Sequence, residues 1–411
     1  MRRFLSIMTL GACALFVQCT GPEPVGIEAL VAPAAPKQVI VSPSTATLSV
    51  GQTQQFSAQL LQDGKQKKAA FSWSSSNTAV ATVSSAGLVT AIGAGDATIT
   101  ATASTGPSGT AQVTVPQAPP RVVATIPMAD GPFGSAVTPG ATGWISQPGL
   151  GQISRLNITS ASVTGTVSPG PFPVQIAANA DGSRLYTVNF FGGQVSMINT
   201  STLTIENSVF ISGQDVYGVT ATPTGDTVFV GLTNGPIYKI DMRTGTFLGV
   251  LDLPVAAGYH FEWNKNRTRL YASQRAFDGG RVFEIEPNAL TLLRTFETGG
   301  SAQGIQLSAD DSKLFVAAQD GGIIVWDVAT NSQITTYATP GCSGYGLLRT
   351  PNDAFLLVGC VFEGLVQVLN PNTGALVATL NVGGRPRELS FDAASHSVLV
   401  PNEAGWVDIV R

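Results

Sequence analysis

From about residue 121 to the C-terminus the chain repeats one pattern of apolar and polar positions. A short apolar strand is followed by a polar turn and a second apolar strand. A Gly-rich turn and a third strand ending in an acid or amide complete the unit. Gly304–Asp327, GIQLSADDSKLFVAAQDGGIIVWD, is a clear copy. Aligning the first apolar residue of each second strand gives Trp144, Leu185, Val228, Leu270, Leu314, Phe355 and Val398, spaced 41, 43, 42, 44, 41 and 43 residues apart. The third strands keep the same register, opening on Gly151, Gly193, Gly235, Gly280, Gly321, Gly364 and Gly405. Glycine suits these positions because the preceding turn needs a residue that tolerates positive φ.

A period of roughly 40–50 residues built of short strands is the mark of a β-propeller blade, so 121–411 is expected to form seven blades. The seventh unit ends at Arg411 without a fourth strand. Val123-Ala124-Thr125-Ile126 reads like Val377-Ala378-Thr379-Leu380, a fourth strand of unit six. The first strand of the array is therefore expected to complete the last blade, which removes open sheet edges. The units resemble the YVTN-type propeller repeat, a relative of the WD repeat. Asp181–Asn189 (DGSRLYTVN) and Ser308–Val316 (SADDSKLFV) carry the resemblance. It implies the propeller fold and, for most members, a binding or scaffold role, with a minority of enzymes.

Residues 38–115 alternate differently, as VIVSP, ATLSV, QQFSAQL, FSWSSS, VATVS, GLVTAIG, DATITATA and AQVTV. Short alternating strands with polar turns predict a β-sandwich. The segment resembles the group 2 bacterial immunoglobulin-like domain through Leu48–Gly51, Trp73–Asn77, Val80–Val83, Gly87–Val89 and Gly93–Gly95. Trp73 is expected to be its core aromatic. The fold class is thus all-β: an N-terminal immunoglobulin-like sandwich followed by a seven-bladed propeller.

The remaining segments read as connections and an address. Residues 1–19 have a basic start, Arg2-Arg3, and an apolar stretch too short to span a bilayer, as in an export signal. Cys19 is the candidate lipidation site, although Gln18 stands where a small residue is usual. Residues 20–37 form a Pro-rich tether and 116–120 a short hinge. The expected location is the cell envelope, lipid-anchored or secreted.

Charge narrows the partners. Only 12% of residues are charged, the net charge is −4, and no basic cluster exists beyond Lys65, Lys67 and Lys68, so nucleic acid is not an expected partner. Cys342 and Cys360 flank a hairpin centred near Pro351 and are expected to pair as a disulfide in an exported chain.

One column just before each inner strand is rich in aromatics: Phe133, Phe172, Tyr217, Tyr259, Gln303, Tyr345 and Arg385, usually followed by Gly or Pro. On a ring, these seven would encircle one mouth of the channel. They could hold a protein segment, a glycan or a small molecule, or they could end a packing stripe between blades. Catalytic signals are sparse. The two histidines are His260 and His396; His260 and Glu262 share one face of a strand and could act as base and partner. No set of residues supplies a His/Cys metal site, and no cofactor is expected. The reading is a non-catalytic binding or adhesion scaffold of the envelope. The alternative is a propeller-type hydrolase or lactonase using channel carboxylates such as Glu262 and Glu388.

Overall fold

The computed structural model describes residues 36–411 except 105, 214, 234, 254–259, 275–278 and 320. The export signal, Cys19, most of the tether and Tyr259 lie outside the described residues. The chain divides into two compact units, Met1–Gln117 and Ala118–Arg411.

In the first unit, a four-stranded sheet orders Thr45–Thr47, Ser108–Val115, Gly95–Ala103 and Phe71–Ser75, and two three-stranded sheets complete the sandwich. Strand alternation does what it must: Ala97, Ile99, Ala101 and Ala103 of Gly95–Ala103 point inward and are buried. Phe56 is the fully buried aromatic of this core, while Trp73 is half-buried against it. The central place expected for Trp73 thus belongs to Phe56. The reason is topological, since Phe71–Ser75, which carries Trp73, is an edge strand of its sheet.

The described residues of the second unit form seven four-stranded antiparallel sheets. Their inner strands are β1 (Ser135–Thr138), β2 (Pro173–Ala178), β3 (Val216–Ala221), β4 (Phe261–Trp263), β5 (Ala302–Leu307), β6 (Gly344–Arg349) and β7 (Ser390–Asp392). Each inner strand from β1 to β5 packs against the next, and β1 also packs against β7. Gly346 of β6 sits against the backbone of Arg387 just before β7. The inner strands therefore close a ring, the propeller expected from the period. Second strands such as Lys313–Ala318 are buried almost throughout, because each sheet is covered on both faces. Outer strands such as Ser332–Tyr337 are mostly exposed.

The last blade is completed by Val122–Pro127, which pairs antiparallel with Trp406–Val410. Arg121 and Arg411 extend this ladder by exchanging backbone hydrogen bonds of 2.7 and 2.9 Å. Ile126 packs in a core with Ile145, Leu156, Leu399, Val407 and Ile409, so this strand joins the last blade to the first.

Strand pairing refines the repeat register. Leu185, Val228, Leu270, Leu314 and Val398 lie opposite Ala178, Ala221, Trp263, Leu307 and Phe391. The matching residues in blades one and six are Gly143, opposite Val137, and Leu356, opposite Arg349. The sequence anchors Trp144 and Phe355 are each one position off, because an apolar residue adjoins the true position in both blades.

Cys342 and Cys360 form a disulfide, and both are buried. Cys360 ends its strand opposite Gly344, so Cys342 reaches it from two residues before β6 rather than from the opposing register position. The bridge closes a loop of sequence separation 18, which in the chain-entropy account is worth about 3 kcal/mol. Cys342→Ser together with Cys360→Ser should lower chemical-denaturation stability by about that amount. An unchanged denaturation midpoint would show that the bridge does not constrain the unfolded chain.

Candidate functional site

Counting four residues back from Val137, Ala178, Ala221, Leu307, Arg349 and Phe391 gives the structural column Phe133, Val174, Tyr217, Gln303, Tyr345 and Arg387. Tyr259 holds the corresponding sequence position in blade four but lies outside the described residues. Phe172 and Arg385 are each two positions early, where the loops entering β2 and β7 carry an aromatic or a base by coincidence.

The structure brings part of this set together. Phe133 meets Tyr217 and Tyr345 edge-on, with centroids 6.1 and 6.3 Å apart. The Tyr217 and Tyr345 hydroxyls are hydrogen-bonded to each other, and both rings are buried. The Arg387 guanidinium lies over Phe133 and Tyr345, 5.1 and 4.7 Å from their centroids, and pairs with Glu403 at 2.9 Å. These rings fill the mouth instead of merely lining it.

The other members stand apart. Gln303 is fully buried, its amide donating to Gln319 Oε1 at 3.0 Å and Ser301 Oγ at 3.2 Å. Arg385 is exposed and 3.9 Å from Glu403. Phe172 is 37% exposed and packs on Phe191 and Phe190, which in turn meets Tyr217. An aromatic chain thus runs from the surface at Phe172 and Phe191 to the buried tyrosines.

One residue further along each inner strand, the column reads Gly134, Gln175, Gly218, His260, Gly304, Gly346 and Glu388. A Cβ on Gly304 would lie 2.6 Å from the Tyr345 carbonyl oxygen and the Leu347 nitrogen. On Gly134 it would strike the Val174 carbonyl, and on Gly346 that of Arg387. These close backbone approaches explain three of the four glycines. The remaining three positions carry polar side chains, and those converge. Gln175 Nε2 donates to Glu388 Oε1 at 3.4 Å, and His260 Nδ1 lies 3.4 Å from the same oxygen. All three line a cavity of about 210 Å³. Sequence reasoning paired His260 with Glu262. The structure instead pairs it across the ring with Glu388, because strands of different blades face one another over the channel. The available signal was the departure from glycine in that column.

Glu262 belongs to a different cavity of about 360 Å³, lined also by Trp263, Lys265, Ser308, Asp311 and Arg349. Its Oε2 accepts from Gln306 Nε2 at 3.2 Å. Burial pushes the Glu262 carboxyl up to about 7, with a backbone hydrogen bond from Leu307 and the nearby Arg349 charge opposing. A carboxyl raised in the fold contributes stability below its ordinary range, and that contribution is lost as pH rises through about 7. Glu262→Gln should therefore gain on the native protein between pH 5 and pH 8, by about 2 kcal/mol after allowing for partial exposure. Asp408, also raised by burial, acts in the same direction in both proteins and cancels in the difference. Equal melting offsets at both pH values would refute the assignment to Glu262.

Residues 35–115 match the family model of the bacterial Ig-like domain (group 2). Among solved structures the chain is similar to Kuenenia stuttgartiensis hydrazine synthase, with a TM-score of 0.63 and 16% identity. The match covers 69% of this chain and 96% of that one. At that identity the likeness shows the fold alone. No curated protein matches the sequence.

Proposed function

We propose that the chain is a non-catalytic binding scaffold of the cell envelope, with the Ig-like unit as spacer and the propeller as the recognition unit. Export is supported by the basic-then-apolar start of the sequence and by the usual occurrence of bacterial Ig-like domains in extracellular or surface proteins. Cys19 is the proposed lipid attachment site. The blades are read as YVTN-type repeats on Asp181–Asn189 and Ser308–Val316.

The observation that carries the reading is the exposed aromatic cluster at the end where the inner strands begin. Phe191 is 55% exposed on the turn after the second strand of blade two, beside Phe172. Phe362, 61% exposed, occupies the equivalent turn of blade six. Exposed phenyl rings suit a protein partner, since aromatic residues anchor such interfaces. In this reading the buried Tyr217, Gln303 and Tyr345 and the half-buried Phe133 support that face, and Phe172 is its accessible member. Capture of an envelope protein by the full chain, lost in the Phe172→Ser/Phe191→Ser variant, is the expected result. Equal capture by both proteins would refute this face as the recognition surface.

The hydrolase reading rests on Glu262, whose raised carboxyl could serve as an acid or base near neutral pH. Glu388 lines a separate cavity, so the two carboxylates do not form one site. Lactone turnover abolished by Glu262→Gln would support that reading; turnover equal to that of the native protein would count against it.

A further inference from the structure

The channel cavity carries chemistry that the surface cluster does not use. His260 is 6% exposed, and its Nε2 has no hydrogen-bond partner among the described residues. A buried polar atom of this kind is costly unless something satisfies it. Its other nitrogen, Nδ1, faces the Glu388 carboxylate at 3.4 Å. A carboxylate there favours the tautomer with the proton on Nδ1, which leaves Nε2 as an acceptor. Glu388 adds a second set of acceptors and is itself largely buried, its side chain 17% exposed. Neither Lys nor Arg is among the described residues that line the cavity. The guanidinium adjoining Glu388 in sequence, that of Arg387, is paired with Glu403. Gln306, another lining residue, is committed to Glu262 and to the backbone of Arg349. The cavity is thus rich in acceptors, holds a carboxylate with no Lys or Arg among its described lining residues, and has apolar walls in Ile176, Val219 and Leu347.

We propose that this cavity is a binding site for a small protonated amine, whose ammonium donates to His260 Nε2 and Glu388 while its short alkyl part lies against Ile176, Val219 and Leu347. A monovalent organic cation supplies both features the cavity lacks, a positive charge and N–H donors. A volume of about 210 Å³ admits a molecule of a few carbons and excludes a peptide or an oligosaccharide. Gly134, Gly304 and Gly346 keep the neighbouring inner strands close enough to frame the space. The Tyr345 ring meets His260 edge-on at 5.6 Å. The site is independent of the exposed phenyl cluster, so either could fail without the other.

The test uses the full chain with methylammonium, ethanolammonium and putrescine, each against sodium and potassium chloride at matched ionic strength. An amine that binds should raise the melting temperature by about 3 °C at ten times its dissociation constant. The rise should vanish in Glu388→Gln and persist in Phe172→Ser. The chain has two histidines, so imidazole Cε1–H NMR signals give a second readout on the native protein, assigned with a His396→Gln variant. Amines should move the His260 signal and leave that of His396 in place. No amine moving either the melting temperature or the His260 signal would overturn the proposal, as would an equal effect from potassium chloride.

Discussion

Ile126→Asp is expected to open the propeller at its closing seam. Ile126 is 3% exposed and packs among Ile145, Leu156, Val407 and Ile409. An aspartate there loses that contact and leaves a carboxylate in apolar surroundings without a partner. The combined cost should be about 4 kcal/mol, near the top of the range for core substitutions. For a unit of this size that corresponds to a melting-temperature loss of about 10 °C. Self-association should follow. Releasing Val122–Pro127 leaves Trp406–Val410 as an unpaired edge, and such edges recruit other chains. Scanning calorimetry and size-exclusion chromatography would read the two effects. A monomeric variant with unchanged melting would mean that this strand does not hold the ring.

The second large effect is expected at Gly346. A valine there would drive its Cβ into the carbonyl oxygen of Arg387, and the next nearest atom is also backbone, the Arg387 carbonyl carbon. A flexible side chain could yield; the adjoining backbone of blade seven cannot without moving β6 and β7 apart. Overpacking of this kind costs 1–3 kcal/mol where side chains absorb it, and about 4 kcal/mol is expected where backbone must move. A Gly346→Val protein with native stability would show that the inner strands have slack.

The architecture was legible in the sequence because blades repeat a strand-turn pattern whose period survives single substitutions. The closing strand was legible for the same reason: Val123–Ile126 copies a fourth strand that the last unit lacks. The aromatic column was legible in four blades and displaced in two. Phe172 and Arg385 mimic the column two residues early, and only strand pairing identifies Val174 and Arg387 as its members. The cluster of Gln175, His260 and Glu388 was legible only as three departures from glycine in one column. Those residues come from three different blades and share no local motif, and only ring closure makes them neighbours. Glu262 showed the opposite error. Its spacing from His260 suggested partnership, yet each residue found a nearer partner on another blade.

The closing ladder also sets an order of events in the life of the chain. Thr125 bonds to Asp408 across a separation of 283 residues. At synthesis rates of about 5–20 residues per second, the first strand waits roughly 15 to 60 seconds for the last to be made. Through that interval Ala124 and Ile126 lack their native strand partner. The ring therefore closes only after Trp406–Val410 has been made, and for an exported chain it closes on the far side of the membrane, where a short peptide copying Val122–Pro127 would compete for the same groove.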